Sequence, residues 1–457
     1  MDDRRQAGPG GPRERAEPSP DVGAPASAGA RERAETSPDV GPPAPAGGRE
    51  RRAAGVALAV LGAAVLAVVA FTTPWRQPPS AADPARDFTA AQLARAAAFD
   101  AAIDPPGYLS YALGLLFAGL LVLTPLGARL LGRLRGPWWL RVVAGVLLLT
   151  AILQALRWPL GVWYEIRLRE WGLSTQDWAA WTGDRLKSIG VGVVLTSIMV
   201  LAVVALARKV RRWWIPAAAG AFALTVAASF VYPVLFEPLF NDFRPMPDGP
   251  LRSSLLAMAD RDGVPVEDVL VADASRRTTA LNAYVSGFGA TRRIVVYDTL
   301  LAAPRPEVEL VVAHELGHAA HDDVLSGTLV GALGAAAGAV LLFALSGLAR
   351  RRAGVASLAD PRAAGVLLGL VSLAGVLSGP AQNLVSRHVE ARADVHALDL
   401  TRAPATFVAM QKRLATANLS DLSPDVVEYV LYASHPTAPE RIALARAWAR
   451  LNGVPEP

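Results

Sequence analysis

The residues best suited to chemistry form the short motif His314-Glu315-Leu316-Gly317-His318. On a helix, positions i and i+4 share a face, so His314 and His318 could direct ring nitrogens at one metal ion. Glu315 would then lie beside the ion as a general base for water. With 6 His and 40 acidic residues among 457, a shuffled chain would contain an H-[DE]-x-x-H pattern about 0.007 times. Two surface histidines on an amphipathic helix are the competing interpretation, and the motif favours a metal-dependent hydrolase.

A hydrolytic zinc site needs a third protein ligand and an open position for water. The chain has no cysteine, so this ligand must be an imidazole or a carboxylate. The metzincin arrangement is excluded, because His321 and Val324 occupy the positions where Gly and His would be required. We therefore expect one zinc ion per chain, with a carboxylate from a later helix as the third protein ligand.

A stripe of polar residues further along the chain offers such a carboxylate. The spacing i, i+4, i+7 and i+11 is shared by Asn383, Arg387, Glu390 and Asp394. This spacing places them on one face of a helix, and we predict Glu390 as the third ligand. Asp394 could orient a ligating histidine or donate a proton to the leaving amine, while Asn383 and Arg387 could bind carboxylates or the oxyanion. The solvated face of a surface helix would carry the same stripe.

The sequence alone gives less reason to assign a functional role to the remaining histidines. His321, His388 and His396 are expected to be ordinary surface residues. His435 precedes Pro436 near the end of the chain, and a lone histidine in a loop is usually exposed.

Apolar segments place these motifs in a membrane protein. The composition is 52% apolar, and segments near the roughly 20 residues that cross a bilayer as a helix alternate with charged stretches. The predicted spans are 53–71, 107–127, 142–162, 189–207, 215–236, 325–348 and 363–377. The first is expected to be a retained transmembrane helix rather than a cleaved signal. The predicted fold class is a mainly α, multi-pass cell-membrane protein with about seven spans.

The polar segments complete the domain organisation. Residues 1–52 contain a near-repeat rich in Pro, Gly and charge and are predicted to be disordered. Residues 53–236 hold five spans, and residues 237–323 form a small α+β catalytic domain that ends with the HExxH helix. Residues 324–380 hold two further spans, and the helical residues 381–457 complete the zinc site.

Several stretches between Pro238 and Ile442 resemble the type I CAAX prenyl endopeptidases, which are integral-membrane zinc metallopeptidases. The matching stretches are Pro238-Leu-Phe-Asn-Asp-Phe243, Asn282-Ala283-Tyr284, Asp298-Thr-Leu300, the HELGH motif, the polar stripe from Asn383 to Asp394, Asn418-Leu-Ser420 and Ser434-His435-Pro436. The resemblance implies a ring of seven transmembrane helices around a water-filled chamber. It also implies that zinc is held by His314, His318 and Glu390.

The same resemblance assigns roles in catalysis and substrate binding. It implies Glu315 as the catalytic glutamate and Asp394 as a proton donor. Asn282, Ala283 and Tyr284 would lie on an edge strand with which the substrate backbone pairs, and His435 would face the substrate carbonyl. The implied reaction is peptide hydrolysis by water that zinc and Glu315 activate. The implied partners are membrane lipids and a peptide or protein substrate, which is prenylated in CAAX proteolysis.

Two other functions are compatible with these residues. The same site would serve quality control of membrane proteins, as in the related heat-shock membrane proteases. A non-catalytic membrane scaffold could also retain the helices and the motif. The net charge of +5 comes mostly from arginines beside the spans and in the tail, which suits lipid headgroups and gives no nucleic-acid footprint.

Two indications of orientation disagree. The N-terminal tail and the segments 129–141, 208–212 and 350–362 are basic, and the positive-inside rule places them in the cytoplasm with the catalytic domain outside. The family resemblance implies instead a zinc site that opens toward the cytosol.

Overall fold

The computed structural model describes residues 47–76 and 82–457. Residues 1–46 of the tail, which hold nearly all of the repeat and for which disorder was predicted, lie outside these residues. Fifteen α-helices lie within the described part of the chain: α1 (Gly48–Thr72), α2 (Pro84–Asp87), α3 (Ala90–Leu123), α4 (Leu126–Leu131), α5 (Trp138–Glu170), α6 (Trp178–Lys209), α7 (Trp214–Val231), α8 (Glu237–Phe240), α9 (Pro250–Arg261), α10 (Arg305–Ala320), α11 (Asp323–Arg352), α12 (Ala364–Thr401), α13 (Pro404–Ala417), α14 (Val426–Leu431) and α15 (Ala438–Leu451).

Four strands and five short turns complete the secondary structure of these residues. The strands are β1 (Phe243–Pro245), β2 (Asp268–Ala272), β3 (Ala283–Ser286) and β4 (Arg293–Tyr297). A π-helical turn, Tyr232–Phe236, joins α7 to α8. The 3-10 turns are Ala274–Arg276, Gly289–Thr291, Leu300–Ala302 and Pro361–Ala363.

Seven helical segments of the described chain are long and apolar enough to cross a membrane, as predicted. They are α1, α3, α5, α6, α7 with its continuation to Phe240, α11, and α12 with the turn before it. Successive contacts join α3, α5, α6, α7, α11 and α12, and α12 returns to α3, which closes a ring. The first span, α1, packs against α11.

Two helices extend beyond the predicted spans. The first begins at Gly48 rather than Ala53, because Arg and Glu are good helix formers and continue the apolar helix into its polar flank. Residues 48–52, which were assigned to the disordered tail, are therefore helical. The last span was expected to end at Leu377, but α12 runs without a break through Pro380 to Thr401. One rod thus carries both the seventh span and the polar stripe.

The catalytic region contains a four-stranded mixed sheet in the order β1-β2-β4-β3. The central pair β2 and β4 is parallel, and both outer pairs are antiparallel. The β-branched and aromatic residues at 269–272, 281–288 and 293–298 predict three strands, and β2, β3 and β4 lie within or overlap these segments. Strand β1 has only three residues and gives no such pattern. Apolar side chains from the sheet, α9, α10, α13 and α15 form a common core that includes Leu255, Ile294, Leu316 and Phe407. This core leaves β3 at the edge of the sheet, beside the motif helix α10.

Candidate active site

Helix α10 places both motif histidines on a buried face. Pro306 and Glu307 in its first turn favour helix formation. Arg413 fixes this turn by donating from Nε to Glu307 Oε2 at 2.5 Å. One turn apart, the rings of His314 and His318 have centroids separated by 4.8 Å and planes inclined by 87°. Their Nε2 atoms consequently approach to 3.2 Å.

Glu390 meets these nitrogen atoms from α12. Its carboxylate oxygens lie 3.1 Å from Nε2 of His314 and 3.5 Å from Nε2 of His318. The approach of the two helices depends on Gly317, where an added Cβ would lie 3.2 Å from the Cα of Ala393. A glycine inside the motif therefore lets the third donor reach the first two.

The spacing of these three donor atoms fits a metal ion. A tetrahedral ion with bonds of about 2.0–2.1 Å keeps its ligand atoms roughly 3.3 Å apart. The two Nε2 atoms are 3.2 Å apart, Oε2 of Glu390 lies 3.1 Å from Nε2 of His314, and Oε1 of Glu390 lies 3.5 Å from Nε2 of His318. Among the described residues, one group of His and acidic side chains has donor atoms arranged to hold a metal, and it consists of His314, His318 and Glu390. The side chains predicted as metal ligands are thus brought together.

Asp394 lies on the other side of the His314 ring. Its Oδ1 is 2.9 Å from Nδ1 of His314, and its side chain is fully buried. Arg441 donates to both of its carboxylate oxygens, at 2.8 Å from Nε and 2.5 Å from Nη2. A carboxylate in this position holds the proton on Nδ1 and leaves Nε2 free to bind a metal. Arg441 was not predicted as a site residue. It lies six positions after His435, and this spacing belongs to no metal-site motif.

Glu315 borders the space that adjoins the donor atoms. It lines a cavity of about 320 Å³ that also contacts Val285 and Phe288. It also lines a cavity of about 80 Å³ that is bounded by Asn282 and His435. Burial raises the pKa of Glu315, and the nearby His314 and His318 oppose the shift. A carboxylate with a raised pKa that faces a cavity has the properties of a general base.

The carboxylates also affect the second motif histidine. Burial lowers the pKa of His318, but its hydrogen bonds to Asp323 and Glu390 outweigh burial and raise the pKa to about 10. The site therefore favours positive charge, as expected where a cation is bound.

His435 approaches the donor atoms from the loop between α14 and α15. Its Nε2 lies 3.3 Å from Oε1 of Glu390, and its Nδ1 lies 2.9 Å from Oγ of Ser434. More than half of the side chain is exposed. An imidazole so placed could contact a substrate that enters the cavity.

The stretch predicted to bind the substrate backbone lies at the sheet edge. Asn282 borders the smaller cavity and immediately precedes β3. The side chain of Ala283 is buried in the core, and Tyr284 packs edge-on against Tyr297 with 6.3 Å between ring centroids. It is therefore the backbone of β3, rather than these two side chains, that can face a substrate.

Asn383 and Arg387 contact backbone rather than the donor atoms. Asn383 Nδ2 donates to the carbonyls of Val430 and Leu431, at 3.2 and 2.9 Å. Arg387 Nη1 donates to the carbonyls of Tyr429 and Ala433 at 3.0 and 2.6 Å. These side chains hold the end of α14 and the loop that leads to His435.

Comparison with known proteins places this site in a family. The sequence pattern of peptidase family M48 matches residues 245–449, and that of the CAAX prenyl protease N-terminal region, with five membrane helices, matches residues 108–242. An uncharacterized metalloprotease of Bacillus subtilis, YhfN, is 32% identical over 315 residues, which span 66% of this chain and 73% of that protein. CAAX prenyl protease 1 homolog of Arabidopsis thaliana is 32% identical over 57% of this chain and 62% of that protein.

A solved structure has the same fold. The crystal structure of S. mikatae Ste24p superposes with a TM-score of 0.64 at 21% identity, covering 88% of this chain and 99% of that chain. The seven spans, the family matches and the His-His-Glu group together define a multi-pass membrane metalloendopeptidase that acts on peptides or proteins. The chain belongs to peptidase family M48 and resembles the CAAX prenyl proteases within it, which confirms the family predicted from the sequence.

Proposed function

We propose that this protein is a zinc endopeptidase with Glu315 as its general base. The observation that carries the proposal is the meeting of two imidazoles and one carboxylate beside Glu315. Two histidines and a glutamate are a known catalytic zinc set that leaves one position open. A zinc ion held there would supply Lewis-acid activation of water and of the scissile carbonyl.

The chain's own groups would carry the proton transfers. Glu315 takes a proton from the attacking water as the new C–O bond forms at the scissile carbonyl carbon. The same carboxyl group then gives this proton to the leaving nitrogen as the C–N bond breaks. His435 donates a hydrogen bond to the oxygen that gains negative charge.

Asp394 has a supporting role in this proposal. Its contact with Nδ1 of His314 supports a function in orienting that ring. Donation of a proton to the leaving amine, the other role predicted for Asp394, would require the carboxyl group to leave His314 and Arg441.

Substitution of the proposed base tests the mechanism. We expect Glu315→Gln to retain one zinc per chain and to lose peptide cleavage by about 1,000-fold or more. Glu309→Gln is the matched control, because Glu309 lies on the same helix and bonds Ser254 and Arg305 instead. Metal content by mass spectrometry and cleavage of a quenched fluorescent peptide are the measurements. Undiminished cleavage by Glu315→Gln would contradict the proposal, as would a wild-type protein that binds no zinc. The presence of this base also distinguishes the proposal from a non-catalytic scaffold, which would need only the ligands.

The substrate is proposed to be an extended peptide that needs no lipid. Support comes from the β3 edge, which offers backbone groups rather than a lipid-specific contact. Two peptides of one sequence, farnesylated and unmodified, should therefore be cleaved with kcat/KM values within about 10-fold of one another. Cleavage of the farnesylated peptide alone would instead assign the CAAX activity for which the plant relative is named.

A further inference from the structure

The Nδ1 atom of His318, which faces away from the proposed metal ligands, contacts a separate carboxylate. Nδ1 of His318 lies 2.9 Å from Oδ2 of Asp323, while Nε2 faces His314 and Glu390. Asp323 is the first residue of α11 and its side chain is 11% exposed. A carboxylate in the first turn of a helix is favourably placed for the helix dipole, and the contact with Nδ1 holds Asp323 beside the ring.

An arginine on α12 holds this carboxylate. Arg392 Nη2 donates to Oδ1 of Asp323, the oxygen that His318 leaves free. Its Nη1 donates to the carbonyl of Thr72 at 3.0 Å. Thr72 is the last residue of α1, where helix carbonyls lack partners in the helix and favour a cation. Arg392 therefore joins the end of the first span to the carboxylate beside His318.

The two metal-facing histidines thus have matching surroundings. His314 is backed by Asp394 and Arg441, and His318 is backed by Asp323 and Arg392. The second set is drawn from α11 and α12 and is held by the end of α1. The family pattern for the five N-terminal membrane helices begins at residue 108, so this use of α1 falls outside it.

We propose that Asp323 and Arg392 are positioning residues for His318, and that the end of α1 is part of the support of the metal site. The proposal rests on the zinc site proposed above. Asp323 accepts the Nδ1 proton, which keeps the lone pair of Nε2 directed at the ion. Arg392 fixes the carboxylate in the orientation that the ring needs, and Thr72 fixes Arg392.

Metal affinity is the property that separates this role from a merely structural ion pair. Full-length protein in detergent is stripped of metal and titrated with Zn²⁺ against a competing chelator. We expect Asp323→Asn to weaken zinc binding about 10- to 100-fold. Arg392→Met, which retains the apolar stem, should weaken zinc binding by a smaller factor, and Arg392→Lys should recover part of the loss. Combining Asp323→Asn with Arg392→Met should weaken binding no more than Asp323→Asn alone, because both changes remove one support.

Asp322→Asn is the matched control. Asp322 is the neighbouring carboxylate and pairs with Arg292, at 2.7 Å, rather than with a histidine. Its φ of 50° suits asparagine equally well. The Asp322→Asn variant should keep the wild-type affinity for zinc. Thermal unfolding of the metal-free proteins checks that each variant is folded, and if Asp323→Asn is not, the comparison of Arg392→Met with Arg392→Lys carries the test.

The outcomes distinguish the two proposals. Zinc binding by the wild type with equal affinity in Asp323→Asn overturns the positioning role and leaves the zinc endopeptidase intact. Equal affinity in Arg392→Met overturns the part assigned to Arg392 and α1. A wild type that binds no zinc overturns both proposals.

Discussion

Asp394 lies 2.9 Å from Nδ1 of His314 and on the side of the ring opposite to Glu390. A group in that place acts on the metal through the imidazole rather than on the substrate. The two roles considered for Asp394, orientation of His314 and protonation of the leaving amine, therefore predict different defects.

Asp394→Asn should reduce zinc affinity about 10- to 100-fold while activity recovers in excess zinc. The neutral amide no longer holds the proton on Nδ1, so the ring loses its preferred tautomer. Zinc titration and kcat at saturating zinc are the measurements. Asp399→Asn is the control, since Asp399 lies on the same helix and accepts from Trp448 Nε1. Wild-type zinc affinity combined with a low kcat would assign Asp394 to proton donation instead.

The edge strand gives a second prediction, on substrate binding. Tyr297 N donates to Asn282 O across the β3–β4 pair at 3.0 Å. Because hydrogen-bonding residues alternate in an antiparallel pair, the backbone N–H of Val285 points away from β4, on the side where a substrate strand would pair. Proline removes this donor, and edge strands tolerate proline where the N–H faces outward.

Val285→Pro should consequently lower kcat/KM about 3- to 10-fold, the value of one hydrogen bond, with zinc content unchanged. Val285→Ala serves as the control, because it shortens the side chain and keeps the donor. Steady-state kinetics with one peptide substrate provide the comparison. Equal losses in the two variants would show that the side chain, and not the backbone, meets the substrate.

Helix packing at the metal site gives a third prediction. At Gly317 an added Cβ would lie 3.1 Å from the Cβ of His396 and 3.2 Å from the Cα of Ala393. Gly317→Ala should push α10 away from α12 by a few tenths of an ångström and reduce zinc affinity on the order of 10-fold. Gly334→Ala, on α11, is the control because no atom lies within 4 Å of its added Cβ. Zinc titration of both variants decides whether this contact matters, and an unchanged affinity in Gly317→Ala would show that the helices can adjust.

The sequence predicted local features of the site better than its long-range contacts. His314, Glu315 and His318 lie within five consecutive residues of one helix, and the helical period alone places them together. The stripe of α12 was correctly assigned to one face, but 11 residues of helix span about 16 Å. Asn383 and Glu390 could therefore share a face without sharing a site, and only Glu390 and Asp394 reach the histidines.

Contacts between residues far apart in the chain leave no spacing pattern in the sequence. Arg441 meets Asp394 across 47 positions, and Arg392 meets Thr72 across 320. No spacing rule encodes such pairs, because they depend on how whole helices pack. The seventh span was predicted to end at residue 377, whereas α12 continues through Pro380, because a membrane helix with packed neighbours can tolerate a proline that would otherwise end it. The single helix α12 was therefore predicted as two.

The seven spans also make a prediction about orientation. Arg208 Nη1 donates to Ala359 O at 3.0 Å, and its guanidinium lies 5.2 Å from the Trp138 ring centroid. The basic segments 129–141, 208–212 and 350–362 thus meet at the end of the spans opposite to the catalytic region. The positive-inside rule places this end in the cytoplasm, so an alkaline phosphatase fused at the C-terminus should be active and a green fluorescent protein fused there should be dark. The reverse pattern would place the metal site in the cytosol, as the family resemblance implied.

The loop that carries His435 gives the last prediction. Arg387 donates to the carbonyls of Tyr429 and Ala433, and its guanidinium lies 4.3 Å from the Tyr429 ring centroid. Arg387 can therefore influence catalysis by holding His435 in place. Under this interpretation Arg387→Met should lower kcat/KM several-fold, and in a His435→Ala background it should have almost no further effect. A residue that binds the substrate directly, as the sequence predicted for Arg387, would give losses that add.

The double-mutant cycle is measured from kcat/KM values of the wild type, both single variants and the double variant. Arg402→Met is the matched control, because Arg402 makes the same kind of contact, with its guanidinium 4.9 Å from the Trp448 ring centroid, but touches no part of this loop. It should leave kcat/KM within about 2-fold of the wild type. If the losses in kcat/KM for Arg387→Met and His435→Ala add, Arg387 binds the substrate directly. If Arg387→Met causes no further loss in the His435→Ala background, Arg387 acts by holding the loop that carries His435.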